Sequence, residues 1–321
     1  MKILRLAKMW IGYVRKQVEL KYYPFKLWVE PTSACNLRCI MCPQSMERPK
    51  KHGYMEMELF KKIIDEAKEF VHDINVHHTG ESLLHPKLME MIKYSESNGI
   101  VTKLHTNATL LDKTLANKIF ESGLSLLSFS FDGFDAKTYE SIRRGAQFEN
   151  TLSNILNFLR MKKERNSRKP YTIFEVIHLG NKLEKKSDNY NKFIAQFNGL
   201  PIEEIRVKEP HNWAGKYQLN VKKDRYAECT FPYYALVVNW NGLVTPCPQD
   251  YFCDIELGDM KIQSLKEIWN GSALKELRRR MINKDIEQLV PCNTCDMIRR
   301  KKVLGIPSGH VADFVKESVS E

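Results

Sequence analysis

The sequence predicts an α/β protein: a parallel sheet or partial barrel followed by a smaller C-terminal α+β extension. Three observations predict it. Short apolar runs alternate with helical patterns six times between residues 26 and 208, the rhythm of strand–helix units that share one parallel sheet. After about residue 210 that rhythm stops, and a hairpin-like stretch leads into a helical one. The eight cysteines fall into two groups, three between residues 35 and 42 and five after residue 228.

Taken in order, the first 22 residues place Ile3, Leu6, Trp10, Val14 and Val18 three and four apart. That spacing makes one apolar helical stripe with basic residues beside it. The ordinary expectation is that the stripe packs on its own domain, and contact with a membrane surface is the alternative. Candidate strands follow in KLWVE (26–30), DINVHH (73–78), IVTKLHT (100–106), LSLLSFSF (124–131), YTIFEVIHL (171–179) and IEEIRVK (202–208). Between them lie the helical patterns MELFKKIIDEAKEF, HPKLMEMIKYSESNG, KTLANKIFESG and NTLSNILNFLRMKK. Gly99 and Gly123 supply the left-handed residues that end helices. Beyond them, ALVVNWNGLVTPC predicts a hairpin turning at Asn241-Gly242, and SLKEIWNGSALKELRRRMI predicts a helical stretch. These signals divide the chain into an amphipathic helix (1–25), a barrel (26–215), an extension (216–300) and a tail (301–321).

At 321 residues, 43% hydrophobic and 28% charged, the composition is that of a globular protein with a sizeable core. No apolar run approaches the ~20 residues of a membrane span, and the charged N-terminus lacks the uncharged stretch of an export signal. A cytoplasmic location is expected, where thiols stay reduced and close cysteine spacings favour metal or catalytic roles. The formal charge of +11 gathers in runs at 160–169, 278–280 and 299–302. Such runs are ordinarily solvated faces; an acidic substrate, nucleic acid or an anionic membrane are the sharper readings.

Cys35-x3-Cys39-x2-Cys42 comes directly after the first strand, at the end of the sheet where function gathers in such folds. Three thiolates on one short loop suit an iron–sulfur cube that keeps one iron open. Zinc is the alternative, but a closed zinc site wants a fourth ligand, and His52 is the nearest nitrogen donor. With this loop the sequence resembles the radical S-adenosylmethionine (SAM) enzymes, whose fold is a partial (β/α)6 TIM-like barrel. The resemblance implies a [4Fe–4S] cluster on Cys35, Cys39 and Cys42, with SAM chelated at the open iron. It further implies reductive cleavage of SAM to a 5′-deoxyadenosyl radical. HHTGES is similar to the family's Gly-Gly-Glu motif, with Thr79 for the first glycine, and implies Gly80 and Glu81 at the SAM amino group. HTNA is similar to Thr-Asn-Gly, with Asn107 kept and Ala108 for the glycine. SFSFDG and YESIRRG imply Ser130 and Arg143 at SAM's ribose and carboxylate, with Arg144 able to take Arg143's place. Met41 stands where the family often has an aromatic residue near adenine, and its thioether can make comparable contacts.

The second group, Cys229-x12-Gly242-x4-Cys247 with a later Cys292-x2-Cys295, resembles the SPASM/twitch extension of these enzymes. Too few cysteines follow for two clusters, so the resemblance implies one auxiliary [4Fe–4S] cluster on Cys229, Cys247, Cys292 and Cys295. Cys253 is then spare, or replaces one of these if the loop folds differently. Four cysteines also suit a zinc ribbon.

The resemblance implies a radical oxidoreductase, dehydrogenating a small sugar- or cyclitol-like substrate, anionic if the basic charge reflects it. Peptide or protein modification is the alternative, and a zinc-stabilised nucleic-acid-binding protein is the remote one. No nucleic-acid signature accompanies the basic runs. A reductant such as flavodoxin or ferredoxin is the implied partner. Asp250 and Glu209 are the proton-accepting candidates: Asp250 lies just after Cys247, and Glu209 shares a strand face with Ile205 and Val207. A loop-capping role is the alternative for Asp250. His78, His105 and His178 sit near strand ends and read equally well as structural residues.

Overall fold

The computed structural model describes residues 2–46, 51–177, 179, 188–208, 210–218, 226–300, 302–303 and 306–307. Six parallel strands form the barrel: β1 (Lys26–Val29), β2 (Asp73–Asn75), β3 (Val101–Thr106), β4 (Leu126–Ser130), β5 (Tyr171–Ile177) and β6 (Glu204–Lys208). All six runs singled out in the sequence are strands, in chain order across the sheet. Around them pack α2 (Pro43–Met46), α3 (Met57–Ala67), α4 (Leu88–Ser97), α5 (Lys113–Ser122), α6 (Ala136–Ile142), α7 (Phe148–Glu164) and α8 (Asp188–Ala195), after an N-terminal α1 (Lys2–Val14).

The helices form where apolar residues recur at helical spacing. In α3, Phe60, Ile63, Ile64 and Ala67 make one buried stripe. Asp112 caps α5 by accepting a hydrogen bond from the Leu115 amide at 2.7 Å, and Gly123, at φ 79°, ends it. An aromatic cluster seals α6, α7 and α8 onto the sheet: Phe131 stacks on Tyr139 at 4.1 Å, and Phe174 packs against Phe193 at 5.3 Å.

The strands show how the sheet makes a chamber rather than a packed core. Along β1 to β3, the helix-facing residues Leu27, Val29, Ile74, Thr102 and Leu104 are fully buried. The alternate positions face one large cavity and are mostly polar or charged: Lys26, Asp73, Asn75, Lys103 and His105, beside apolar Trp28 and Val101. Asp73 lies 3.5 Å from the Lys26 ammonium and 3.3 Å from that of Lys103.

The extension continues the barrel sheet. β7 (Ala235–Val238) pairs parallel to β1, and β8 (Leu243–Thr245) and β9 (Gly258–Asp259) follow antiparallel. The hairpin falls where Asn241-Gly242 placed it, with Gly242 at φ 94°. Glu30 joins the two parts: its buried carboxylate accepts from the Thr79 amide at 3.2 Å, the Thr79 hydroxyl and the Trp240 amide at 3.1 Å.

Two expectations are corrected. The helical stretch at 264–282 is two helices, α9 (Leu265–Trp269) and α10 (Ser272–Ile282). The break falls at Asn270-Gly271, because the Asn270 side chain bonds the backbone of Leu20 and Gly271 takes the N-cap of α10. The second is the face by which the N-terminal segment packs; that it packs on its own protein is as expected. Buried Arg278 donates to Val18 and Pro232 carbonyls at 2.9 and 3.0 Å, and Trp269 donates to the Tyr22 carbonyl, fastening this segment to the extension. Helix α1 packs through Met9, Gly12 and Tyr13, while Trp10 and Val14 of the expected packing stripe point outward. No helix among the described residues is long and apolar enough to cross a membrane. The tail is described only at 302–303 and 306–307, as a short antiparallel pair.

Candidate functional site

The loop after β1 is held from three sides. The Thr32 hydroxyl donates to the Gly53 carbonyl at 2.7 Å, and the Glu81 amide donates to Ala34 at 2.8 Å. The amides of Arg38 and Ile40 donate to the carbonyls of Arg144 and Ile142 at 2.9 and 3.0 Å. This fixes Cys35, Cys39 and Cys42 after the C-terminal end of β1, on the wall of a cavity of about 1480 Å³ that runs the length of the strands. Burial pushes the Cys35 thiol up to about 12 and raises Cys39 and Cys42 as well, the Arg143 guanidinium partly offsetting this at Cys39. Thiols in such surroundings become thiolates when a metal centre stabilises the charge.

Every residue the sequence placed at SAM lines the same cavity: Met41, Gly80, Glu81, Asn107, Ser130 and Arg143. Glu81 is buried and heavily engaged. Its carboxylate accepts from the Thr106 hydroxyl at 2.8 Å and from the amides of Asn107 and Leu83 at 2.7 and 3.1 Å. It thus ties the end of β3 to the loop after β2. Ala108 adopts φ 58°, the left-handed conformation for which the resembling motif uses glycine. Arg143 is buried beside Cys39 and pairs with buried Asp132 at 2.7 Å, whereas Arg144 is exposed. Arg143 thus lines the cavity and Arg144 does not.

On the same cavity wall, the rings of His77 and His105 lie with centroids 4.3 Å apart at a 32° tilt, and the His105 amide donates to His77 Nδ1 at 3.3 Å. Burial drives the His77 pKa well below the usual imidazole range, so that ring is neutral. Glu175 pairs with Lys208 at 2.8 Å, and Arg206 with Glu204 at 2.8 Å. His78 donates through Nε2 to the Pro248 carbonyl at 3.1 Å, a contact between the barrel and the extension.

The second group of cysteines is brought to one place. Cys229, Cys247, Cys292 and Cys295 line one small pocket with Leu277, Met281 and Ile298. Burial and the neighbouring thiols push Cys295 up to about 12 and raise Cys247 and Cys292 further. Cys253 lies outside this set. Among the described residues, no three His, Cys, Asp or Glu side chains converge closely enough to hold a single metal ion. His52 is occupied elsewhere, its Nδ1 3.1 Å from the Ser33 carbonyl. Phe231, Gln249 and Met297 line both cavities and form the wall between them.

The catalytic candidates fare differently. Asp250 turns into its own loop, accepting from the Thr245 hydroxyl and from the amides of Asp254 and Ile255 at 2.8 and 2.9 Å. It is not in the lining of the large cavity, although Pro248 and Gln249 are, and its bonds fit the loop-capping alternative. Glu209 and His178 lie outside the described residues. Sequence reasoning missed Asp132, although it stands in the SFSFDG stretch that drew attention to Ser130. It also missed Tyr251, whose hydroxyl donates to the Thr79 carbonyl at 2.9 Å and sits 3.5 Å from Cys42 Sγ. Only its position four residues after Cys247 hinted at that reach.

Comparison with known proteins agrees with this geometry. Residues 29–185 match the model of the radical SAM superfamily, and residues 229–296 match that of an iron–sulfur cluster-binding domain, SPASM. The tungsten-containing aldehyde ferredoxin oxidoreductase cofactor-modifying protein of Pyrococcus furiosus is 27% identical over 296 residues, spanning 76% of this chain and 80% of that protein. Among solved structures, BtrN in complex with AdoMet and 2-DOIA superposes with a TM-score of 0.58 at 17% identity, covering 85% of this chain and 92% of BtrN. Streptococcus suis SuiB bound to its precursor peptide SuiA gives a TM-score of 0.59 at 14% identity, covering 93% of this chain and 75% of SuiB.

Proposed function

We propose, from the premise that this chain belongs to the radical SAM superfamily and carries a C-terminal SPASM domain, that it dehydrogenates a small, polar, anionic substrate such as a sugar or cyclitol derivative. It is an enzyme whose cofactors are SAM, a [4Fe–4S] cluster and an auxiliary iron–sulfur cluster. The observation that carries the substrate reading is the chamber lining. Beside apolar Trp28, Val101 and Ile173, inward positions on five strands bear Lys26, Asn75, Lys103, His105, Glu175 and Lys208, where a filled barrel would carry aliphatic residues throughout. Cationic side chains in a recessed chamber favour an anionic ligand, and ion-paired neighbours hold them in fixed orientations.

When bound, the cofactors would supply a 5′-deoxyadenosyl radical to take the carbinol hydrogen atom and an iron–sulfur acceptor for the remaining electron. The chain supplies the rest. Asn107, Ser130 and Arg143 line the upper cavity, where they can orient SAM, and Lys103 and Lys208 lie where they can hold the anionic group. His105, beside the neutral His77, is placed to accept the hydroxyl proton. Phe231, Gln249 and Met297 keep the auxiliary thiols a single side-chain layer from the substrate chamber.

The test is a panel of phosphorylated or nucleotide-linked sugars and cyclitols, deuterated at the carbinol carbon. The expected result is deuterium in 5′-deoxyadenosine and a ketone product lighter by two hydrogens. His105→Asn is expected to slow product formation by about 10²-fold or more, the usual contribution of a general base. A mass change on a peptide, with every sugar untouched, would replace this reading by peptide modification.

A further inference from the structure

Helix α1 is amphipathic in the opposite sense to a packing helix. Leu4 (62% exposed), Trp10 (44%), Ile11 (42%) and Val14 (51%) point outward together with exposed Ala7. Positions 4, 7, 11 and 14 share one helical face, and Trp10 borders it. These are four of the nine large apolar side chains exposed among the described residues, gathered on a single 13-residue helix.

The opposite face fastens the helix to the protein. Met9 is buried, and the Tyr13 hydroxyl donates to the Glu228 carbonyl at 2.9 Å. The Tyr13 ring meets Tyr233 edge-on at 5.3 Å. At Gly12 an added Cβ would come within 3.0 Å of the Tyr22 hydroxyl, so the backbone lies close against its own protein. The outward stripe is therefore not a fold requirement left over from an imperfect core.

Charge identifies what would cover it. Lys8, Arg15 and Lys16 are exposed, and no carboxylate occurs before Glu19, whereas Lys2, Arg5, Lys8, Arg15 and Lys16 all do. An apolar face with a tryptophan at its edge and cations of one sign along its rim matches a helix lying in the headgroup region of an anionic bilayer. A protein groove would ordinarily present mixed charge.

We propose that α1 docks the protein peripherally on an anionic lipid surface. Leu4, Trp10, Ile11 and Val14 enter the headgroup boundary, and Lys8, Arg15 and Lys16 meet lipid phosphates. Arg5 and Leu6, on the inner side of the same helix, line the large chamber, so docking sets that part of the chamber beside the bilayer. This inference stands independently of the radical chemistry.

The test is sedimentation of anaerobically reconstituted full-length protein with vesicles of phosphatidylcholine alone or mixed with phosphatidylglycerol. Wild type should bind the mixed vesicles at least about tenfold more tightly than the neutral ones. The variant Leu4→Ser/Ile11→Ser/Val14→Ser keeps every charge and alters only outward side chains. It should lose at least about tenfold in binding to mixed vesicles while keeping the wild-type circular dichroism spectrum. Lys8→Glu/Arg15→Glu should abolish the preference for phosphatidylglycerol. Equal binding by wild type and the triple-serine variant would trace attachment to the general basic surface and overturn the proposal. So would failure to bind, including the case of a wild-type dimer that the triple-serine change dissociates, which would make α1 an interface between copies.

Discussion

Gly80→Ala is expected to lower SAM cleavage by at least about a hundredfold while leaving the fold and the auxiliary cluster in place. A Cβ at Gly80 would lie 2.3 Å from the Thr32 carbonyl oxygen and 2.5 Å from that of Ala34. Both oxygens belong to backbone of the segment leading into Cys35, and neither can swing aside as a flexible side chain would. The Glu81 amide, which bonds Ala34 at 2.8 Å, would be pushed away with it. A displacement on the order of 1 Å at a reacting centre costs about 10²-fold. The measurement is anaerobic SAM cleavage beside iron content and circular dichroism. Iron held by the auxiliary thiols should survive, because Gly80 does not line their pocket. Unchanged cleavage would show that the loop tolerates the movement.

The second large effect is on stability. Arg143→Ala leaves the Asp132 carboxylate buried, with the Ile177 amide at 2.7 Å as its remaining donor among the described residues. Breaking one side of a buried ion pair costs about 3–5 kcal/mol, on the order of 10 °C in thermal midpoint. Adding Asp132→Asn should recover at least half of that loss, since the uncompensated charge is then gone. The pH dependence follows from the same burial. It already raises the Asp132 carboxyl above its usual range with Arg143 present, and loss of the guanidinium raises it further. A carboxyl whose folded pKa exceeds its unfolded one destabilises the fold as pH rises. The deficit should therefore be largest near neutrality and shrink as pH falls toward about 4. Thermal melts of the single and double variants across that range decide it. A deficit that does not change with pH would mean that Arg143 acts through packing alone.

Much of this protein was legible from local pattern. Each strand is a short apolar run beside a helix with its own apolar stripe, and helix ends fall at residues such as Asp112 and Gly123 that satisfy terminal backbone groups. The first cysteine group was legible because spacing on one loop is a local property, whereas the second, spread over residues 229–295, was legible only through its resemblance to a known extension. What escaped depends on partners far apart in the chain. The carboxylate of Glu30 bridges to Thr79 and Trp240, and Tyr251 reaches Cys42 across 209 residues. Asp250 carried the right residue type at a suggestive position, but three local donors turned it into the loop. Periodicity found the apolar residues of α1 but could not say which face the extension would cover. The close approach at Gly12 and the Tyr13 hydrogen bond decided that.

The central claim is that two thiol sets hold two iron–sulfur centres, only the first of which cleaves SAM. The most direct test is iron, sulfide and zinc content, with 5′-deoxyadenosine formation after reduction, for wild type and for Cys35→Ala/Cys39→Ala/Cys42→Ala. About eight irons per chain in wild type should fall to about four in the variant, with 5′-deoxyadenosine lost. Zinc in place of iron, or SAM cleavage that persists without the three thiols, would contradict it.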